Sequence, residues 1–437
     1  MKTLFKIITL GCKVNQYESA FIEESLINKG CLMAEKDKKA DIVIINGCIV
    51  TAPASYQTRQ AIRRAVRENP QAIVAVIGCY AQVFPKELSA ISGVDLIVGN
   101  KGKRFLPDLL LKAVHHNPPL ILKEDFEKSE SFEEIPVKGF SNRTRAFLKI
   151  QDGCQSFCTY CIVPMARGPL RSLKPDSVIK IVKELEKNDY KEVVLTGIHL
   201  GKYGTDFNNS MNLTRLLIEI GKNTSGIRIR LSSLKPTEIT TELIELMAGK
   251  NGLCRHFHIS LQSGDDYVLK RMNRHYTASM FIKIIDDIHR LIPDISIGVD
   301  VLAGFPGEDQ RSFNTTFDLI KDLPVSYLHV FPYSIREGTI AAQFSDHLDH
   351  KKIKERTFRL RELDKEKRRI FRDNLLGKIF SVLAEGWSPG DRNLIWGLSD
   401  NYVRFYFPSE GLIKNSIVKV KAERVTEEGI IAKRVVD

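Results

Sequence analysis

The sequence predicts an α/β protein in three parts. These are an N-terminal doubly wound parallel sheet, a central series of βα units forming a full or partial barrel, and a small C-terminal β-barrel. Three observations carry this. Three short β-branched runs near the N-terminus each stop at Gly-Cys and lead into a helical pattern. Six strand-like runs in the middle alternate with helical ones. Beyond about residue 377 only short β-rich runs remain.

The first part reads FKIITLGC, ADIVIINGC and QAIVAVIGC, with helical patterns following at 15–29, 55–68 and 85–91. Ligands of such sheets gather outside the carboxyl ends of the strands. Cys12, Cys48 and Cys79 stand at those ends, whereas Cys31, in the turn-to-strand segment KGCLMA, is assigned to packing. Residues 1–118 are taken as this unit, and 119–143 as a linker, because EDFEKSESFEEIP is acidic and without period. In the next unit, 144–376, strands are expected at 145–151, 192–197, 227–233, 256–262, 295–305 and 327–334. Helices are expected between them at 176–188, 213–223, 238–249, 277–291 and 309–322. Functional residues of such a barrel belong at its C-terminal rim. One long charged helix at 348–376 ends the unit. The tail, 377–437, offers KIFSVLAEG, NYVRFYF, SIVKVKAERV and GIIAKRVVD, spaced like a small barrel.

The 437 residues are 43% hydrophobic and 27% charged, which excludes a disordered or collagen-like chain. A net charge of +12 favours a polyanionic partner such as nucleic acid. Eleven basic against five acidic residues between 349 and 372 supply half of that excess. No apolar run approaches the roughly 18–20 residues of a membrane span, so no membrane partner is expected. MKTLFKIITLGC has the basic start and LGC of a lipoprotein leader. Lys6, however, splits an apolar stretch already short for a leader's core of about 7–15 residues. The segment is read as a first strand and the protein as cytoplasmic. In that reducing compartment eight cysteines point to metal binding or catalysis rather than disulfides.

The strongest chemical signal is Cys154-xxx-Cys158-xx-Cys161, in QDGCQSFCTYC. Three closely spaced thiolates just past a strand can hold three irons of a cubane cluster. The fourth iron then stays open for chelation by the amino and carboxylate groups of S-adenosylmethionine (SAM). An electron delivered there cleaves the sulfonium to a 5′-deoxyadenosyl radical, chemistry that the protein positions rather than performs. A zinc knuckle would need four ligands in paired CxxC units, and no fourth is near.

The same string, with Tyr160 before the last cysteine, follows the pattern of radical SAM enzymes. QDGCQSFCTYCIVPMARGPLRS, TLGCKVNQYES, NGCIVTAPA and GCYAQ together resemble the radical SAM methylthiotransferases over essentially the whole chain. LTGIHLGKYG, RIRLSSLKP, CRHFHISLQSG and HVFPYSIREGT resemble the branch acting on N6-threonylcarbamoyladenosine. The resemblance implies a radical SAM (βα)6 partial barrel and a C-terminal TRAM-like RNA-binding module. It implies two [4Fe–4S] clusters, one on Cys154, Cys158 and Cys161 and one on Cys12, Cys48 and Cys79, the latter carrying or supplying sulfur. SAM is the expected cosubstrate. The expected partners are the anticodon stem-loop of tRNA, an electron donor such as flavodoxin or ferredoxin, and a sulfur donor. The expected reaction places a methylthio group on C2 of the adenine at tRNA position 37. Alternatives are N6-isopentenyladenosine in tRNA, an Asp of a ribosomal protein, or a non-catalytic Fe–S RNA-binding protein. Gly47, Met165 and Leu173 depart from the family strings, where Thr, Tyr and Arg are commoner.

Thr196 and Gly197, ending the second barrel strand, fit a backbone edge against the methionine moiety of SAM or an ordinary turn. Tyr160 fits a place beside the adenine or in the core. Arg59, Arg63 and Arg67 form an i, i+4, i+8 stripe suited to phosphates or to a solvated face. Tyr402, Phe405, Tyr406 and Phe407 offer base-stacking surfaces, although strand alternation buries some of them. Cys254 and the ten histidines show no ligand spacing and are assigned to packing.

Overall fold

The computed structural model describes all residues except Met1, Lys36, Lys128, Ser141, Asn142, Lys250, Asn251, Pro389, Val436 and Asp437. Its first sheet has six parallel strands: β1 (Leu4–Thr9), β2 (Leu32–Met33), β3 (Ile42–Gly47), β4 (Ile73–Gly78), β5 (Leu96–Val98) and β6 (Leu120–Leu122). The spatial order is β2-β1-β3-β4-β5-β6. β3 is buried along its whole length, as a strand covered on both faces must be. The helices Lys13–Asn28 and Ala52–Glu68 cross over between strands. Thr51 starts the second of these by accepting from the Ala54 N–H.

The barrel follows. Its strands are β7 (Arg145–Asp152), the short β8 (Arg171–Ser172), β9 (Glu192–Gly197), β10 (Arg228–Leu231), β11 (His256–Gln262), β12 (Ser296–Ala303) and β13 (Tyr327–Pro332). Six are parallel and run β10-β9-β7 and β11-β12-β13, the halves joined by a parallel bridge between Leu234 and Ile259. β8 adds antiparallel to the end of β7. Asn212, Thr240, Thr277 and Asp309 each cap a barrel helix through the side chain, which fixes where those helices begin. Alternation divides each strand. Phe257, Ile259, Leu261, Ile297, Val299, Val301 and Leu328 pack in the main hydrophobic core, and the residues between them face the barrel interior.

The helix His350–Asp373 lies along β13 and buries Leu360 and Leu363. The chain ends in a closed barrel of β14 (Ile379–Ser388), β15 (Asp391–Ser399), β16 (Arg404–Pro408), β17 (Ile417–Val425) and β18 (Ile430–Arg434). Only β16 and β18 pair in parallel. The β15–β16 connection caps the N-terminal end of the large barrel. Arg228 and Arg230, both paired with Glu192, donate to the carbonyls of Leu398, Ser399 and Asp400. Tyr402 stacks on His256, ring centroids 4.4 Å apart.

Two expectations change. Residues 119–143 do not run free: Leu120–Leu122 pairs with β5, and Ile135, Val137 and Phe140 are buried in the barrel core. Sparse apolar residues in an acidic string sufficed because each meets a hydrophobic face already formed. The tail holds a fifth strand, β15, whose polar start Asp391–Asn393 hid it.

Candidate functional site

The loop leaving β7 carries the first thiol triad. Gly153 turns the chain there at φ +75°, and a Cβ at this position would meet the Pro169 carbonyl oxygen at 1.7 Å, so only glycine fits. Cys154 Sγ lies 3.6 Å from His199 Nδ1, and His199 Nε2 pairs with Glu238. Burial raises the Cys154 thiol, but the bond and charge of His199 outweigh it and bring the pKa down to about 7. Arg274 donates to Cys158 Sγ at 3.6 Å while anchored on the Ser260 carbonyl and Tyr276. Burial, then the charges of Cys158 and Cys154, push Cys161 up to about 12. The three thiols therefore share one field, which a bound cation would relieve.

The other expected residues at this rim divide. Gly197 sits against β7: a Cβ there would lie 2.9 Å from the Cβ and Oε1 of Gln151. Thr196, buried, is in register with Lys149. His199 follows two residues on and donates its N–H to Gln151 Oε1 at 2.6 Å. Tyr160 packs edge-on against Phe305 beside Val268, Met272 and Leu302. His199, Arg274 and Glu238 come from distant segments, and no sequence spacing pointed to them.

The second triad is assembled across strands. Cys12 precedes the helix Lys13–Asn28, Cys48 follows β3, and Cys79 opens the helix Cys79–Val83. β1, β3 and β4 are neighbours in one parallel sheet, so three strand ends about 5 Å apart bring the thiols together. A Cβ on Gly11 would lie 3.0 Å from the Cys48 Cβ. Burial, followed by the charge of Cys79, pushes Cys48 up to about 12. Cys79 Sγ accepts from Arg167 Nε at 3.2 Å and from Asn100 at 3.6 Å. Gly47 has its reason here, since a Cβ on it would lie 2.7 Å from the Thr58 methyl, which already fills the space. Of the other two departures, Leu173 is buried core and Met165 is exposed on the rim.

Arg167 ends a five-residue helix, Val163–Arg167, that begins two residues after Cys161. It joins the two triads. Its guanidinium is fully buried and reaches Glu18 at 2.5 Å, Asn15 at 3.3 Å and Asp152 at 3.5 Å. Lys103 and Lys149 share Glu18. Burial alone would raise the Glu18 carboxyl, but Arg167, Lys103 and Lys149 hold it down at about 2. A second tie crosses nearby, where Arg336, after β13, donates to Ser55 Oγ at 3.3 Å.

The comparisons agree with this architecture. A model of the radical SAM superfamily matches residues 148–320, and one of an uncharacterized protein family, UPF0004, matches residues 4–99. The chain is 39% identical to a threonylcarbamoyladenosine tRNA methylthiotransferase MtaB of Bacillus subtilis, over 94% of this chain and 92% of the relative. The chain belongs to the radical SAM methylthiotransferase family. A Thermotoga maritima MtaB is 36% identical over 99% of this chain and 97% of its own. A tRNA-2-methylthio-N(6)-dimethylallyladenosine synthase of Clostridium botulinum is 32% identical over 98% and 97%. Among solved structures the radical SAM methyltransferase TsrM of Kitasatospora setae shares the fold, with TM-score 0.56 and 16% identity over 78% of this chain and 77% of that one.

A radical SAM methylthiotransferase is a transferase that uses SAM and [4Fe–4S] clusters, and the donor sets here fit such clusters. Each site brings three thiols and no fourth cysteine, for Cys31 is buried in the sheet core and Cys254 lies against Glu192. Arg167 and Arg274 supply N–H donors to one sulfur of each set, the kind of contact that tunes a cluster. No helix of the described residues is long and apolar enough to cross a membrane. Of the arginine stripe, Arg59 is bound to Tyr80 while Arg63 and Arg67 are exposed. Phe405 and Phe407 are core residues of the C-terminal barrel.

Proposed function

We propose that the chain adds a methylthio group to C2 of N6-threonylcarbamoyladenosine at position 37 of tRNA, in the cytoplasm. The observation that carries this is the pair of thiol triads, each of three and never four, one on a barrel loop and one on three strand ends, joined by the Val163–Arg167 helix. Electron carriers close their clusters with four thiolates, and an open position on each set suits one site that binds SAM and another that binds sulfur. Cys154, Cys158 and Cys161 hold the first cluster in this reading, and Cys12, Cys48 and Cys79 the second. When bound, the clusters supply the electron that cleaves SAM and the sulfur that is methylated and transferred.

The chain's own residues orient this. His199, braced by Glu238, keeps Cys154 near its thiolate form. Thr196 and Gly197 offer a backbone edge to SAM, and Tyr160 forms part of the wall. Relatives named for threonylcarbamoyladenosine reach 36–39% identity against 32–34% for those named for dimethylallyladenosine, which favours the former substrate. Lys421 and Lys433 face each other directly on neighbouring strands of the C-terminal barrel, both exposed, and Lys433 also pairs with Glu423 at 3.2 Å. Like charges so placed repel and suit a phosphate backbone, so tRNA binding should weaken with salt. A flavodoxin or ferredoxin is the proposed reductant, with a separate sulfur donor.

The test is mass spectrometry of nucleosides from tRNA of cells with and without the gene. Loss of the 2-methylthio form with accumulation of its threonylcarbamoyl precursor is the expected result. Loss of the methylthio group from the isopentenyl nucleoside instead would keep the chemistry and overturn the substrate. An unchanged profile would overturn both.

A further inference from the structure

Below the rim the barrel interior is not apolar. His258 on β11, Asp300 on β12 and His329 on β13 converge there, one ligand-type atom of each lying within 4.8 Å of the others. His258 Nε2 is 2.7 Å from Asp300 Oδ1, and His329 Nδ1 is 3.5 Å from the same oxygen. The Tyr327 hydroxyl lies 3.0 Å from His258 Nδ1 and 2.8 Å from His256 Nε2. His256 in turn rests on Tyr402 at the barrel floor. The group is thus fixed from beneath.

Its upper side is open. The His329 side chain is 49% exposed, and among the described residues nothing hydrogen-bonds its Nε2. One same-face step up β11 and β12, roughly 7 Å, stand residues tied to the Cys154/Cys158/Cys161 loop. Ser260 anchors the Arg274 that reaches Cys158, and Leu302 packs in one cluster with Tyr160. A substrate entering the interior toward that loop therefore meets the His258–Asp300–His329 group.

The two adenosines open to this family differ at that place. The threonylcarbamoyl substituent carries a carboxylate, a hydroxyl and ureido N–H groups, whereas the isopentenyl group is wholly apolar. Against an isopentenyl group, the half-buried Asp300 and the imidazoles would lose water and gain no partner. Against the acyl group every one of them finds a complement.

We infer that His258, Asp300 and His329 seat the polar N6-acyl group of the substrate adenosine, and that His329 is a specificity-determining residue. The inference rests on the reading that the chain methylthiolates an N6-modified adenosine. The test uses reconstituted holoenzyme with tRNA carrying either N6-threonylcarbamoyl- or N6-isopentenyladenosine at position 37. The variants are His329→Phe, which keeps a ring without donors, and His329→Gln, which restores a donor.

His329→Phe should raise KM for the threonylcarbamoyl tRNA roughly 10- to 100-fold, the size expected for losing a hydrogen bond to a charged group. The change in kcat should be smaller, the cluster absorbance should match wild type, and His329→Gln should recover part of the loss. Unchanged KM in His329→Phe, or a loss that tracks cluster content and is not rescued by Gln, overturns the inference while leaving the reaction standing. Wild-type enzyme that modifies only the isopentenyl tRNA overturns the substrate reading and this inference with it.

Discussion

The two thiol triads are built in opposite ways. One occupies eight consecutive residues on a single loop. The other gathers residues 67 positions apart from three neighbouring strand ends. The loop triad borrows its electrostatics from distant barrel residues, His199 and Arg274. The strand-end triad takes an arginine from the barrel itself, Arg167, which donates to Cys79. A local motif thus depends on the barrel for tuning, and a dispersed one depends on it for integrity.

Removing thiols breaks the comparison most severely. Cys154→Ala should abolish both SAM cleavage and methylthiolation, and Cys79→Ala should abolish methylthiolation. Each should reduce bound iron from about eight to about four per chain, which iron analysis beside product assays would check. Equal iron in either variant would refute its ligand role.

Arg167→Met comes next. It leaves Glu18 and Asp152 buried with fewer counter-charges, and breaking such a buried pair costs about 3–5 kcal/mol. The urea midpoint should fall accordingly, and the strand-end cluster should be lost first. A variant as stable as wild type would show that the joint carries no load.

Acidity sharpens the contrast without breaking it. In iron-free protein Cys154, with its thiol near 7, becomes thiolate above that pH, and Cys48 only near 12. Iodoacetamide should therefore label Cys154 increasingly as pH rises through 7 and label Cys48 only at far higher pH, read by peptide mass spectrometry. His199→Ala removes the bond that lowers Cys154 and should shift its labelling curve upward by a unit or more. The smallest effect belongs to Lys421→Ala, which should lower tRNA affinity a few-fold and reduce the salt slope by about one. Filter binding at two ionic strengths would measure it.

Much of this was legible in the sequence, for reasons that differ by region. β7, β9 and β11 announce themselves through short apolar-rich runs bounded by helical periods, and they form at Arg145–Asp152, Glu192–Gly197 and His256–Gln262. Leu120–Leu122 was illegible because three apolar residues make a strand only when an edge such as β5 awaits them. The CxxxCxxC spacing declares three thiols on one loop. The strand-end thiols became legible because three strands repeat the same Gly-Cys ending. Their neighbours could not be read that way. His199, braced by Glu238, and Arg274 meet Cys154 and Cys158 only through the barrel's closure, and Arg167 meets Glu18 149 residues away.

The capped floor of the large barrel has one more consequence. Arg228, Arg230 and Tyr402 fasten the C-terminal module to the barrel through backbone carbonyls and a ring stack rather than through a tether. On the proposed function, an RNA stem gripped by that module is held at a set distance from the reacting centre. The module then works as a ruler, and a base is chosen by how far it stands from the grip, before any of its atoms is inspected.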